Sequence, residues 1–143
     1  MKNGYFKGII AGAIAGIAKG IVTATVLGLA VKVGLVKSAG EFTTMNALIY
    51  LIANIEWNII WGAIFGFAFA MVYDRVPSKG IVKGLIFSLL FYLILGDVRV
   101  AQILWGYRYL HEVLLDMAKG FAWAGIFASI TYGIILGYLY KSD

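Results

Sequence analysis

The sequence predicts an all-α membrane protein of four transmembrane helices, arranged as two hairpins in a Gly-xxx-Gly packed bundle. Three observations predict it. Of its 143 residues, 62% are hydrophobic and only 13% charged, with a mean hydropathy of +0.91. Soluble domains carry about 25% charged residues, so this chain has too little polar surface to coat itself. Its apolar residues fall into long runs, of the roughly 20 residues that cross a bilayer as a helix. Glycine occupies 18 positions and recurs every four residues within those runs, whereas proline occurs once. Small residues at that spacing let helices approach closely in lipid. Residues 1–143 are read as a single transmembrane domain.

The first span covers residues 5–31, after Lys2 and overlapping Lys7. A secretory leader also opens with a basic stub, but its apolar region is only about 7–15 residues; this run is longer and is kept as a mature helix. Gly4, Gly8, Gly12, Gly16, Gly20, Ala24 and Gly28 form one small-residue stripe, and Lys19 sits beside it near the middle of the span. A polar link with Lys37, Ser38, Gly40 and Glu41 leads to the second span, residues 45–73. This span carries Asn54, Asn58, Gly62, Gly66 and Ala70 at the same spacing, with Glu56 about 200° round from Asn54 at 100° per residue. Tyr73 marks an interface, and Asp74-Arg75-Val76-Pro77-Ser78-Lys79-Gly80 is the strongest turn signal in the chain.

The third span covers residues 80–99, with Gly80, Gly84 and Ser88 on its small side and Asp97 and Arg99 near its end. Residues 100–116 mix aromatics with Arg108, His111, Glu112 and Asp116. That mixture reads as a continuation of the third helix or as an interfacial segment. The fourth span, residues 117–140, repeats the four-residue spacing at Gly125, Ser129, Gly133 and Gly137. The halves resemble each other: Lys7-Gly8-Ile9-Ile10 matches Lys83-Gly84-Leu85-Ile86, and the Gly62–Gly66 run matches the Gly133–Gly137 run. Two helices per half give both halves the same orientation, so a parallel internal repeat is one reading and chance alignment of simple Gly/Ala/Ile patterns the other. Basic residues by the middle turn favour both termini in the cytoplasm, with the chain a multi-pass protein of the cell membrane.

The Lys-Gly openings at Lys7-Gly8 and Lys83-Gly84, with Gly62, Gly66 and Tyr73 in the second helix and Gly133, Gly137 and Tyr140 in the fourth, resemble the YagU-like families of four-helix membrane proteins. In that pattern a polar residue, often His, precedes the paired glycines; Asn58 and Ser129 stand there in this chain. The resemblance implies the four-helix fold and brings no established reaction with it.

Placing a carboxylate at mid-bilayer costs roughly 2.5–3.5 kcal/mol on insertion scales, so intramembrane charges seek partners. Counted at 1.5 Å per residue, Lys19 lies roughly 18 Å from Lys7, Asp97 roughly 21 Å and Arg99 roughly 24 Å from Lys83, and Glu56 roughly 25 Å from Tyr73. These four fall into one band. With Asn54, Asn58 and Ser129 they form the candidate intramembrane polar network. One reading is that Lys19 or Arg99 pairs with Glu56 or Asp97 and fixes helix register; the other is a polar path for an ion or solute. Gly8, Gly12, Gly16, Gly20, Gly62, Gly66, Gly133 and Gly137 are the candidate packing positions.

Several chemistries are excluded or disfavoured. Cysteine is lacking, which removes disulfides, thiolate metal sites and a cysteine nucleophile. A single histidine, His111, with scattered carboxylates makes no metal set. No cofactor and no catalytic constellation are expected. The net charge of +5 sits beside apolar spans, where lipid headgroups explain it. Trp105-Gly106-Tyr107-Arg108-Tyr109 reads as an aromatic belt, so nucleic acid is not an expected partner. The expected partners are the lipid bilayer and either further copies or other membrane subunits. The function expected from these features is non-enzymatic, a structural or accessory membrane protein. An ion or small-solute transporter or channel is the alternative.

Overall fold

A computed structural model describes residues 2–35, 44–106 and 112–140, with side chains described throughout except at 2–3, 95–106, 112–119 and 121–122. The described chain is all-helical: α1 (Lys2–Lys32), α2 (Thr44–Val72), a 3-10 turn (Tyr73–Arg75), α3 (Gly80–Gly106) and α4 (Glu112–Leu139). Helix is what these apolar runs demand, because away from its ends it satisfies the backbone polar groups within its own segment. Gly4–Lys32 and Thr44–Arg75 are long and apolar enough to cross a membrane, and Gly80–Ile94 and Trp123–Leu139 are shorter apolar stretches.

Two bounds differ from the sequence reading. α3 runs on through Asp97 and Arg99 to Gly106, and α4 begins at Glu112. Charged residues do not by themselves end a helix. Proline or glycine punctuation does, and residues 97–105 contain neither. Residues 100–106, set apart by their aromatic and polar composition, therefore continue α3.

The end of α1 shows the punctuation at work. Gly34 takes the left-handed conformation, φ 75°. Its N–H donates to the Val31 carbonyl oxygen at 3.1 Å, and the Leu35 N–H donates to the Ala30 carbonyl oxygen at 2.9 Å. This is the Schellman pairing, which occupies two carbonyls the helix end leaves open. At the other turn Pro77 stops the chain after the 3-10 segment, and Ser78 (φ 88°) and Gly80 (φ 52°) reverse it.

α1 packs along α2 and along α4, and α3 packs along α4. The α1–α2 seam is antiparallel. A Cβ built on Gly8, Gly12, Gly16 or Gly20 would overlap backbone at Gly66, Gly62, Asn58 and Asn54 respectively, so each step of one turn along α1 is one turn back along α2. The α3–α4 seam has the same construction, with Gly84 against Gly133 and Gly137, and Gly137 against Gly80. Matched on this geometry, Gly84 corresponds to Gly12, because each faces the first of two glycines four apart. That is one turn away from the Lys7-Gly8 and Lys83-Gly84 correspondence in sequence.

Between α2 and α3 the contact is made by rings. Phe65 meets Phe91 at 5.1 Å between centroids, and Phe69 meets Phe87 at 5.0 Å. The buried cluster joins Ala11 and Ala15 of α1 to Phe69, Phe87, Tyr132, Leu136 and Tyr140.

Candidate functional site

The four-residue stripe that makes the α1–α2 seam also carries Asn54 and Asn58 toward α1, and the structure shows how their amides are used. The Asn58 amide donates to the Asn54 carbonyl oxygen at 2.8 Å, and the Asn54 amide donates to the Tyr50 carbonyl oxygen at 3.0 Å. Both bonds run back one turn along their own helix, the local pairing open to short polar side chains. Asn58 is buried at 7% exposure. The amide N–H groups thus serve α2 itself.

Lys19 is half-buried. Its ammonium lies 5.7 Å from the centroid of the Tyr132 ring and 6.0 Å from that of Phe65, within the range of cation–π attraction. The Tyr132 hydroxyl donates to the Gly62 carbonyl oxygen at 2.8 Å, tying α4 to α2. In the other hairpin the Ser88 hydroxyl donates to the Ser129 carbonyl oxygen at 2.9 Å. Ser129 thus enters through its backbone carbonyl.

Glu56 behaves differently. It is exposed, and it makes no hydrogen bond or ion pair with the described residues. The expected pairing of Lys19 with Glu56 is not formed, although the seam register brings Ile55 beside Gly20 and so sets the two residues at one level. Two effects separate them. Glu56 lies about 200° round α2 from the seam residue Asn54. Side chains on helices also lean toward their own N-terminus, so residues level with each other on antiparallel helices lean apart. The side chains of Asp97 and Arg99, the other two charges of the candidate network, lie outside the described residues, as does His111.

A second polar point, at the α2–α3 turn, was not among the candidates. Lys83 is only 8% exposed. Its ammonium donates to the Tyr73 carbonyl oxygen at 2.6 Å and lies 3.9 Å from the Tyr73 ring centroid. A cation on an open carbonyl at a helix C-terminus meets the negative end of the helix dipole. The sequence signal was available: a lysine one turn into α3 lies within reach of the end of α2 across a turn closed by Pro77. Tyr73 in turn packs on Tyr140, with 4.8 Å between ring centroids.

No buried side-chain nitrogen or oxygen among the described residues lacks a partner. A surface groove of about 450 Å³ is lined by Val26, Leu29, Val33, Leu35, Trp123 and Phe127 among others, and none of the candidate polar residues borders it. No group of three or more metal-ligating side chains occurs among the described residues.

No family model matches this chain, and neither does any curated protein or solved structure.

Proposed function

We propose that this chain is a small polytopic integral membrane protein of structural or accessory type, working as an oligomer or as a subunit of a membrane complex. It crosses the cell membrane four times, as the resemblance to the four-helix YagU-like proteins implies, with both termini in the cytoplasm. The two glycine seams are of one construction and support a parallel repeat of two hairpins.

One contrast carries this reading. Interior polar groups are consumed by the fold: Asn58 by its own helix, Tyr132 by the Gly62 carbonyl, Ser88 by the Ser129 carbonyl. The carboxylate of Glu56 stays on the outer face, among side chains such as Ile60 and Trp57, exposed at 57% and 59%. In lipid that position is unfavourable by roughly 2.5–3.5 kcal/mol unless something covers it. A subunit that docks through this face removes the cost. A polar path through Lys19, Glu56, Asp97 and Arg99 is less well supported, because Lys19 and Glu56 address opposite sides of α2.

Native mass spectrometry of the protein gently extracted from its own membrane tests the proposal. The expected spectrum contains assemblies, with unlike subunits or with further copies. A monomer that retains a small ligand, together with a pH-dependent flux in liposomes abolished by Glu56→Gln, would overturn it in favour of transport.

A further inference from the structure

We infer that the outward face of α2 centred on Glu56 is a docking surface for a transmembrane helix of a different protein, one that presents a basic residue, best an arginine, at mid-span. The inference rests on the accessory reading above and adds to it the face, the anchor and the chemistry of the partner.

The face is continuous. At 100° per residue, Ile49, Ile52, Glu56, Ile60, Phe67 and Met71 share one side of α2, and all are exposed. It lies opposite the seam to α1, so nothing in the α1–α2 packing covers it. Glu56 stands thirteenth in the 29-residue helix Thr44–Val72, close to its middle. An apolar helix face with one carboxylate at its centre complements another apolar helix with one cation at its centre. Either charge alone is unfavourable at that depth, and the pair is far less so.

Arginine fits this position better than lysine, because a guanidinium bonds a carboxylate through two parallel N–H groups, which an ammonium cannot do.

Charge argues against this face meeting itself in a second copy; the side chain of Arg99, the other cation counted to mid-span, lies outside the described residues. The exposed cations among the described residues are Lys7, Lys32, Arg75 and Lys79, and all lie at or near helix ends. Lys19, level with Glu56, is turned toward Phe65 and Tyr132. A two-fold contact through this face would place Glu56 against Glu56, a repulsive pairing.

The test uses the full chain in its own membrane. A photoreactive amino acid is placed at Ile52 or Ile60, flanking Glu56, with Ile10 on α1 as the control position. The expected product from Ile52 and Ile60 is an adduct with an unlike chain whose cross-linked segment is an apolar span containing Arg or Lys. Its yield should fall about tenfold in Glu56→Gln, as removal of one partner from a buried charge pair predicts. Exchanging the charges, Glu56→Arg here and the basic residue to Glu in the partner, should restore it. Thermal unfolding should be unchanged in Glu56→Gln, since the side chain makes no bond with the described residues. Adducts only with lipid, only with a second copy, or with a span lacking a basic residue would each overturn the inference, as would a yield indifferent to Glu56→Gln. Unlike subunits in the native spectrum with no adduct from this face would sink the inference and leave the accessory reading standing. A spectrum of bare monomer with lipid-only adducts would end both.

Discussion

At Gly12 the α1–α2 contact depends on a side chain that is not there. An added Cβ would overlap the Gly62 carbonyl oxygen and the Gly66 Cα, both backbone atoms that cannot rotate away. Gly34 offers the opposite case, with a left-handed φ of 75° but nothing within 4 Å of an added Cβ. Gly12→Ala should therefore destabilise by overpacking, about 1–3 kcal/mol or more, and Gly34→Ala by conformational strain alone, about 1–2 kcal/mol. Unfolding in mixed micelles measures both. Gly12→Ala should also weaken any cross-link engineered between α1 and α2, which Gly34→Ala should leave intact. At this scale the sequence was legible where spacing decides position, because residues four apart must share a helix face. It was less legible where side-chain direction decides. Lys19 and Glu56 were placed at one level by counting, but counting along an axis does not register that side chains on antiparallel helices lean apart.

Lys83 matters to two elements at once. It belongs to the first turns of α3, yet its ammonium closes a carbonyl at the end of α2, where the Val76 N–H also donates to the Val72 carbonyl oxygen at 3.2 Å. Replacing it with methionine keeps much of the buried volume and removes the bond. Lys83→Met should cost about 1–2 kcal/mol, the range for a cation at a partly buried helix C-terminus, and should speed hydrogen exchange at the Val76 amide ahead of the middle of α2. Exchange mass spectrometry on the purified protein reads this directly; equal protection in both forms would show that the cap contributes nothing. The turn itself was plain in the sequence from Pro77 and Gly80. The role of Lys83 was obscured by a sound general expectation, that lysines beside apolar spans reach outward to headgroups. Here the same long stem folds back onto a helix end. The extension of α3 past Arg99 was one of two readings of residues 100–116, and it stayed open because composition changes there while helix-breaking signals do not appear.

The molecule as a whole combines two glycine seams with an aromatic layer between α2 and α3. Its lack of cysteine makes its topology testable without a background to remove. A single cysteine at Ser78, in the exposed turn after α2, should react with a membrane-impermeant maleimide only after the cytoplasmic side is opened. One at Leu35, just past the end of α1 and also exposed, should react from outside in intact cells. The reverse pattern would invert the proposed orientation, and labelling of both from one side would mean that α2 does not cross. The helical class and the four elements were readable from hydropathy and spacing alone. The outward aspect of Glu56 was not, because a charge in an apolar run announces that it needs a partner without saying on which side the partner stands.

One consequence concerns the order in which the chain is made. α1 has two small-residue sides, glycines toward α2 and Ala11 and Ala15 within the cluster that holds Tyr132, Leu136 and Tyr140 of α4. Of the four helices α1 leaves the ribosome first and α4 last. The glycine side can close as soon as α2 is inserted. The alanine side must then wait for α3, the intervening segment and α4 to be synthesised, on the order of ten seconds at ordinary translation rates. Throughout that interval the nascent hairpin displays a close-packing surface whose proper mate does not yet exist. If the chain is the membrane protein proposed above, the insertion machinery or a neighbouring protein would shield α1 from the wrong helix until its own last helix arrives.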